Sequence, residues 1–361
     1  HCVADVELAT ACSSGVDSGL VTAMSGDYVS PLHAYVVAPD TGVSEVEGAR
    51  RTCAKADVPL REVKIDRASY LRDFATSIYH IENGNPANST AALLAMTRQC
   101  RKDGVKVLLT GEGSDELFGG YRWQALSAKR ARLAYILAAL GPTGKARERR
   151  LDRFRRSAFA NAVLTGGRVE HTIFSTSLFA QQNFFTEEIL ETLEPVSPAS
   201  ARVFAGNGIF DLYGHMQNII HRHDRISMAS SVELRVPFLE NGVIDFALNL
   251  HPDFKYRRKQ GKWLLKEVAS DYLPRENIMA RKKGFPITGS YLEGTETLLK
   301  RGALQDILGW SVRDTERICK ICDANETLRT RLVAHEVFSR IFAFGTSPEE
   351  MGEKLISSST L

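Results

Sequence analysis

The chain has 361 residues, 43% of them hydrophobic and 25% charged, with a formal net charge of +3. That apolar content is enough for a core, no apolar run reaches the roughly 18 residues of a membrane span, and no secretory signal pattern opens the sequence. A balance so near neutral gives no argument for a nucleic-acid partner. The expectation is a soluble cytoplasmic protein that engages neither nucleic acid nor membrane, with the six cysteines as reduced thiols.

In chain order, residues 6–12 read as a first strand, 13–18 as a tight Ser/Gly loop, and the stretch after it as a helix. Residues 33–38 predict a second strand, 44–54 a helix, and the alternating run 60–65 a third strand. Residues 105–109 are apolar except for Lys106 and predict a buried fourth strand. Strand alternating with helix predicts an α/β fold, a doubly wound parallel sheet with helices on both faces. From about Ser127 the pattern is helical, with no further convincing strand. Residues 1–125 therefore read as an α/β core and 126–361 as a large, mainly helical C-terminal part.

Three segments carry chemistry. The loop Ser13-Ser14-Gly15-Val16-Asp17-Ser18 lies between strand and helix. Such a loop offers backbone N–H groups and the positive end of the helix dipole to an anion. Ser13, Ser14 and Ser18 add hydroxyl donors, Gly15 allows close approach, and Asp17 is a magnesium ligand candidate. The second segment, residues 110–121, follows the fourth strand with acids Glu112, Asp115 and Glu116 and glycines 111, 113, 119 and 120. Crowded carboxylates repel, which a shared cation relieves. In open α/β sheets, ligands bind beyond the carboxyl ends of strands, so Asp17 and Asp115 are placed to share magnesium. The third segment runs from His223 to Glu240 at helical spacing and stops at a proline, and further on comes the basic loop Arg281-Lys282-Lys283-Gly284. Main-chain groups of the second strand, around Val37, lie where they could bind adenine.

With these motifs in this order, the chain resembles the synthetase domain of the asparagine synthetases, a family that includes the β-lactam synthetases. The carriers are the phosphate loop, Gly-Glu-Gly-Ser-Asp-Glu-Leu-Phe-Gly-Gly-Tyr at 111–121, Asp-Arg-x-Ser-Met-Ala at 224–229, Glu-x-Arg-Val-Pro-Phe-Leu at 233–239 and Lys-Lys-Gly-Phe-Pro at 282–286. The resemblance spans nearly the whole chain and implies one synthetase domain of the ATP-pyrophosphatase fold, with residues 1–125 as its nucleotide-binding core. It implies ATP and Mg²⁺, adenylation of a substrate carboxylate with pyrophosphate release, and attack by ammonia on the acyl-adenylate. An amine or internal amine nucleophile is the alternative, and a related enzyme acting on tRNA or a non-catalytic relative are the others. By resemblance, Ser13, Ser14, Gly15, Asp17 and Ser18 form the pyrophosphate loop, and Val37, Gly111 and Lys283 are expected to join them in binding ATP. Asp17 and Asp115 hold magnesium, Lys282 stabilises the adenylation transition state, and Glu112 handles the proton of the attacking nitrogen. Glu233 matches a glutamate that acts in the β-lactam branch. The crowding around Glu112 predicts a raised pKa there.

The sequence departs from the family in three places. Ser14 stands where a glycine is expected. Only a few residues precede the phosphate loop, so no N-terminal glutaminase domain is expected, and a separate glutaminase domain or subunit, or another amine, would supply the nitrogen. No arginine lies between Glu82 and Thr97, where the bacterial synthetases carry one near the substrate, so an acid larger than aspartate is expected. The basic run 145–156 predicts a solvated helix, and Cys319-Lys320-Ile321-Cys322 a helical stretch, not a zinc site. The oligomeric state is left open.

Overall fold

Five short strands build the sheet: β1 (Leu8–Ala11), β2 (His33–Pro39), β3 (Leu60–Ile65), β4 (Val107–Leu109) and β5 (Glu233–Arg235). They pair in the order β3-β2-β1-β4-β5, each pair parallel. The computed structural model describes residues 1–42, 44–84, 86–121, 144–149, 204–206, 208–209, 211–258, 260–280 and 289–358. Its helices include α1 (Val16–Gly26), α2 (Val46–Ala56), α3 (Arg67–Ile81), α4 (Ser89–Lys102), α5 (Ser114–Phe118), α6 (Met216–Met228), α7 (Asn241–Asn249), α8 (Pro252–Lys255) and α9 (Trp263–Tyr272). They continue with α10 (Arg275–Met279), α11 (Ala303–Leu308), α12 (Val312–Ala324), α13 (Glu326–Phe342) and α14 (Pro348–Ser358).

The chain divides into two compact units. One comprises His1–Thr110, Ile220–Arg235 and Tyr272–Leu361; the other comprises Gly111–Ile219 and Val236–Asp271. The first holds the sheet. A parallel sheet needs cover on both faces. On one face, Ala9, Tyr35 and Leu108 join a core with Phe74 of α3, Met96 of α4, Val337 of α13 and Leu355 of α14. Burying each large side chain there stabilises by roughly 1.5–3 kcal/mol. Side chains alternate along a strand, so Thr10 points to the opposite face, where its hydroxyl accepts from Thr22 of α1 at 2.9 Å. The residues near the C-terminus thus complete the sheet's own core.

Local chemistry sets the element ends. Asp66 accepts from the Ser69 amide at 2.8 Å while Ser69 Oγ accepts from the Asp66 amide, a reciprocal cap that starts α3. No side chain caps α1, whose N-cap is Gly15. The late strand β5 corrects the expectation of no strand beyond Ser127. The helix expected across 223–240 stops at Met228, Ser231 turns with φ 54°, and the following residues pair with β4. Val232 is fully buried and Leu234 half-buried, while Glu233 between them is exposed: a period of two, which only a strand satisfies. A two-residue ribbon, β6 (Tyr256–Arg257) with β7 (Gln260–Gly261), also lies in the second unit. There Phe118 meets Phe238 edge-on at 6.1 Å and Phe204 meets Tyr256 at 6.5 Å.

All six cysteines are free, and Cys319 and Cys322 are buried on α12. Residues 145–149 are helical and largely exposed; the rest of the basic run lies outside the described residues. Among the described residues no helix is long and apolar enough to cross a membrane.

Candidate functional site

The strand order reverses between β1 and β4. β2 and β3 extend to one side of β1, and β4 and β5 to the other. A reversal of this kind opens a crevice at the carboxyl ends of the two central strands. The loop 13–18 leaves β1 at that point and enters α1, whose first-turn amides and dipole have the chemistry to attract an anion. The loop is braced from within. Ser18 Oγ accepts from the Ser13 amide at 2.9 Å and lies 2.8 Å from Ser13 Oγ, which accepts from the Gly15 amide at 3.1 Å. Ser14 differs: its hydroxyl donates to Glu45 Oε1 at 3.0 Å. The sequence placed Ser14 among the phosphate donors, and here it ties the loop to the residue preceding α2.

Helix α2 is pressed against that loop. A Cβ on Gly48 would stand 2.3 Å from Ser14 Cβ, so only glycine allows the approach. From the other side, buried Asn277 of α10 donates to Gly48 O and Thr52 Oγ1, both at 2.8 Å, and accepts from Arg51 Nε at 3.0 Å. Glu45, Gly48 and Asn277 were not singled out in the sequence. An isolated glycine within a helical pattern was the available signal for Gly48. Nothing local marks the other two.

Val37 lies beside this loop in β2. The β1–β2 register ends at Ala11 opposite Tyr35, and Tyr35 O accepts from Cys12 N at 2.8 Å. In a parallel ladder alternate residues face the same neighbour, so Val37 turns its amide and carbonyl to the β1 side, where β1 has ended. Its side chain is buried in the core, which leaves only its main chain facing that side.

The acidic segment belongs to the second unit. Glu112 is a half-buried turn residue, and α5 follows with Asp115 and Glu116 in its first turn. Lys262, 5% exposed, pairs with Asp115 Oδ1 at 2.7 Å. A Cβ on Gly120 would fall 1.8 Å from Asp115 Oδ1 and 2.4 Å from Lys262 Cε, so a larger residue there would displace this ion pair. In this segment Glu116 carries a raised carboxyl pKa. Burial first, then the charges of Asp115 and Glu112, push Glu116 up to about 7, although Tyr121 donates to it at 2.7 Å. Among the described residues no three His, Cys, Asp or Glu side chains gather as a metal cage. Magnesium needs none when one or two carboxylates act with substrate phosphates, and the carboxylates of Asp17 and Asp115 have that donor chemistry. Lys262 has no local sequence signature, because its partner lies far back in the chain.

Glu233 is placed elsewhere. The register aligns it with Val107 and, through β4, with Leu8, at the amino ends of the strands. From that level β1 still runs to Ala11, roughly 10 Å of strand, before the loop begins at Ser13. Its carboxylate pairs with Arg235 Nε at 2.8 Å, which holds its pKa below the usual range. Arg235 in turn donates to the His1 and Val3 carbonyls. This arrangement fastens a strand end. Lys282 and Lys283 lie outside the described residues. Arg225 of α6 pairs with Glu82 at 2.9 Å, which brings an arginine to the stretch that lacks one of its own.

The family profile described as asparagine synthase matches residues 1–351. The glutamine-hydrolyzing asparagine synthetase 1 of Bacillus subtilis is 25% identical over 304 residues, 80% of this chain and 47% of its own length. The amidase chyE of Penicillium rubens is 25% identical over 332 residues, 78% of this chain and 49% of its own. The glutamine-hydrolyzing asparagine synthetase B of Escherichia coli is 27% identical over 137 residues, 34% of this chain and 24% of its own. The chain spans about half the length of the first two of these relatives. With a family match over nearly its whole length, this chain belongs to the asparagine synthase family.

Proposed function

We propose that this chain is the synthetase part of an ATP-dependent, AMP-forming carbon–nitrogen ligase. The observation that carries the reading is the braced Ser/Gly loop at the sheet's reversal point, beside the open main chain of Val37. In the proposed reaction a carboxylate oxygen of the substrate bonds to the α-phosphorus of ATP, and the bond to the β-phosphate oxygen breaks, releasing pyrophosphate. Ammonia then bonds to the acyl carbon, the carbon–oxygen bond to AMP breaks, and the nitrogen loses a proton. AMP is a far better leaving group than oxide, which is why the first step is needed.

The first-turn amides of α1 and the Ser13–Ser18 brace receive the phosphates, and the Val37 amide and carbonyl bind adenine. Gly111 allows the backbone to approach the nucleotide. Asp17 and Asp115 would hold magnesium, which screens phosphate charge when bound. Lys282, with Lys283 beside it, neutralises charge on the phosphates as a point cation. Glu112 accepts the nitrogen's proton. Glu233, at the far end of its strand, takes no part. The related names make ammonia the leading nitrogen donor, from a glutaminase domain or subunit. The expected setting is the cytoplasm.

Carboxylate oxygen labelling tests the chemistry. A substrate acid carrying ¹⁸O should transfer one labelled oxygen to AMP and none to pyrophosphate. Label appearing in inorganic phosphate, with ADP as the product, would replace the acyl-adenylate with an acyl-phosphate.

A further inference from the structure

Helix α8 ends at Lys255, the ribbon begins at Tyr256 and ends at Gly261, and Lys262 follows. Tyr256 pairs with Gly261 and Arg257 with Gln260, so the two lysines leave the ribbon at the same end. Both are almost wholly buried, 4% exposed for Lys255 and 5% for Lys262. Their stems flank one turn. A Cβ on Gly119 would stand 3.4 Å from Lys255 Cβ, and one on Gly120 would stand 2.4 Å from Lys262 Cε. Lys262 is matched by Asp115 at 2.7 Å. Among the described residues no carboxylate faces Lys255. Burial is the one influence on its proton and pulls its pKa down to about 8. A lysine this enclosed, with no counter-charge among the described residues, is costly to keep charged, and an anion arriving from outside would offset that cost.

We propose that Lys255 is a second anion-binding lysine beside the acidic loop and receives a polyphosphate, either the triphosphate of the nucleotide or inorganic pyrophosphate. The inference rests on the functional reading above, which supplies both anions. A polyphosphate suits the site because lysine binds phosphate as a point charge and needs no fixed bidentate geometry.

Lys255→Met keeps the apolar stem and removes the charge; Lys255→Arg restores a cation. Calorimetry with magnesium pyrophosphate, and separately with α,β-methylene ATP, reads binding, and thermal melting reads the fold. The Met variant should melt at or above the wild-type temperature and bind at least one of the two ligands about tenfold more weakly. The Arg variant should recover most of that loss. Weakening with pyrophosphate assigns the site to the product, and weakening with the analogue alone assigns it to the nucleotide. Binding of both within about twofold of wild type overturns the inference, whatever the melting temperature. If the Met chain does not fold, Lys255→Gln takes its place with the same criteria. A wild-type chain that binds neither ligand overturns the functional reading and this inference together, whereas equal binding by wild type and variant overturns only the inference.

Discussion

Replacing Gly48 with alanine tests how the phosphate loop is held. The added Cβ would stand 2.3 Å from Ser14 Cβ and 2.6 Å from Ser14 Cα, where ordinary contact starts at 3.4 Å. One side must yield by about 1 Å. Helix propensity alone favours alanine by up to about 1 kcal/mol, and overpacking costs about 1–3 kcal/mol. Both partners are fastened, Ser14 by Glu45 and α2 by Asn277, so the upper part of that range applies. The net loss should be about 1–2 kcal/mol, read as a shifted denaturant midpoint at unchanged slope. Pyrophosphate exchange should fall further than stability alone explains, because the atoms that give way belong to the loop. Ser14→Gly removes one of the two overlapping atoms, so the double variant should recover at least about 0.5 kcal/mol beyond additivity. A Gly48→Ala chain that is as stable as wild type and exchanges pyrophosphate normally would refute the claim that α2 bears on the loop.

Other perturbations follow from the same geometry. Glu336 is fully buried, accepts from the Ala303 and Leu304 amides at 2.8 Å each and pairs with Arg340. Glu336→Ala strands those donors and should cost about 3 kcal/mol by denaturant titration, with Glu336→Gln intermediate. Asp73 is pushed up to about 6 by burial, against the opposing pull of Arg98, Lys102 and Arg72. The folded state therefore holds that proton more tightly than the unfolded chain, so the associated stability is complete below about pH 4 and lost as pH rises through 6. Asp73→Asn should flatten that decline, worth up to about 2–3 kcal/mol, and an unchanged pH profile would contradict it. Glu112→Gln should slow amide formation more than adenylation, whereas Asp115→Asn should abolish pyrophosphate release; equal loss in both steps for Glu112→Gln would remove its proton role.

The alternation of strand and helix over the first 110 residues made β1 to β4 readable, because each apolar run has turn residues on both sides. β5 was hidden by the helical pattern just before it, although Val232 to Val236 alternates as a strand should. The phosphate loop and the acidic loop were legible as residue types at strand ends. What those residues touch was not. Ser14 read as a phosphate donor because its hydroxyl is one, and only the fold shows Glu45 beside it. Glu233 read as catalytic by its motif, and only the strand register places it at the far end of the sheet. Lys262 and Lys255 are set by a ribbon of two residues per strand, too short for any periodicity to show.

Acid-dependent exchange of labelled pyrophosphate into ATP bears most directly on the proposed chemistry. The assay would use aspartate, larger amino acids and peptide acids in turn, with magnesium. Exchange that requires one acid and disappears in Asp115→Asn is the predicted result. ATP bound at the loop with no exchange for any acid, in a chain that also fails to form amide from the same acids and ammonia, would contradict it.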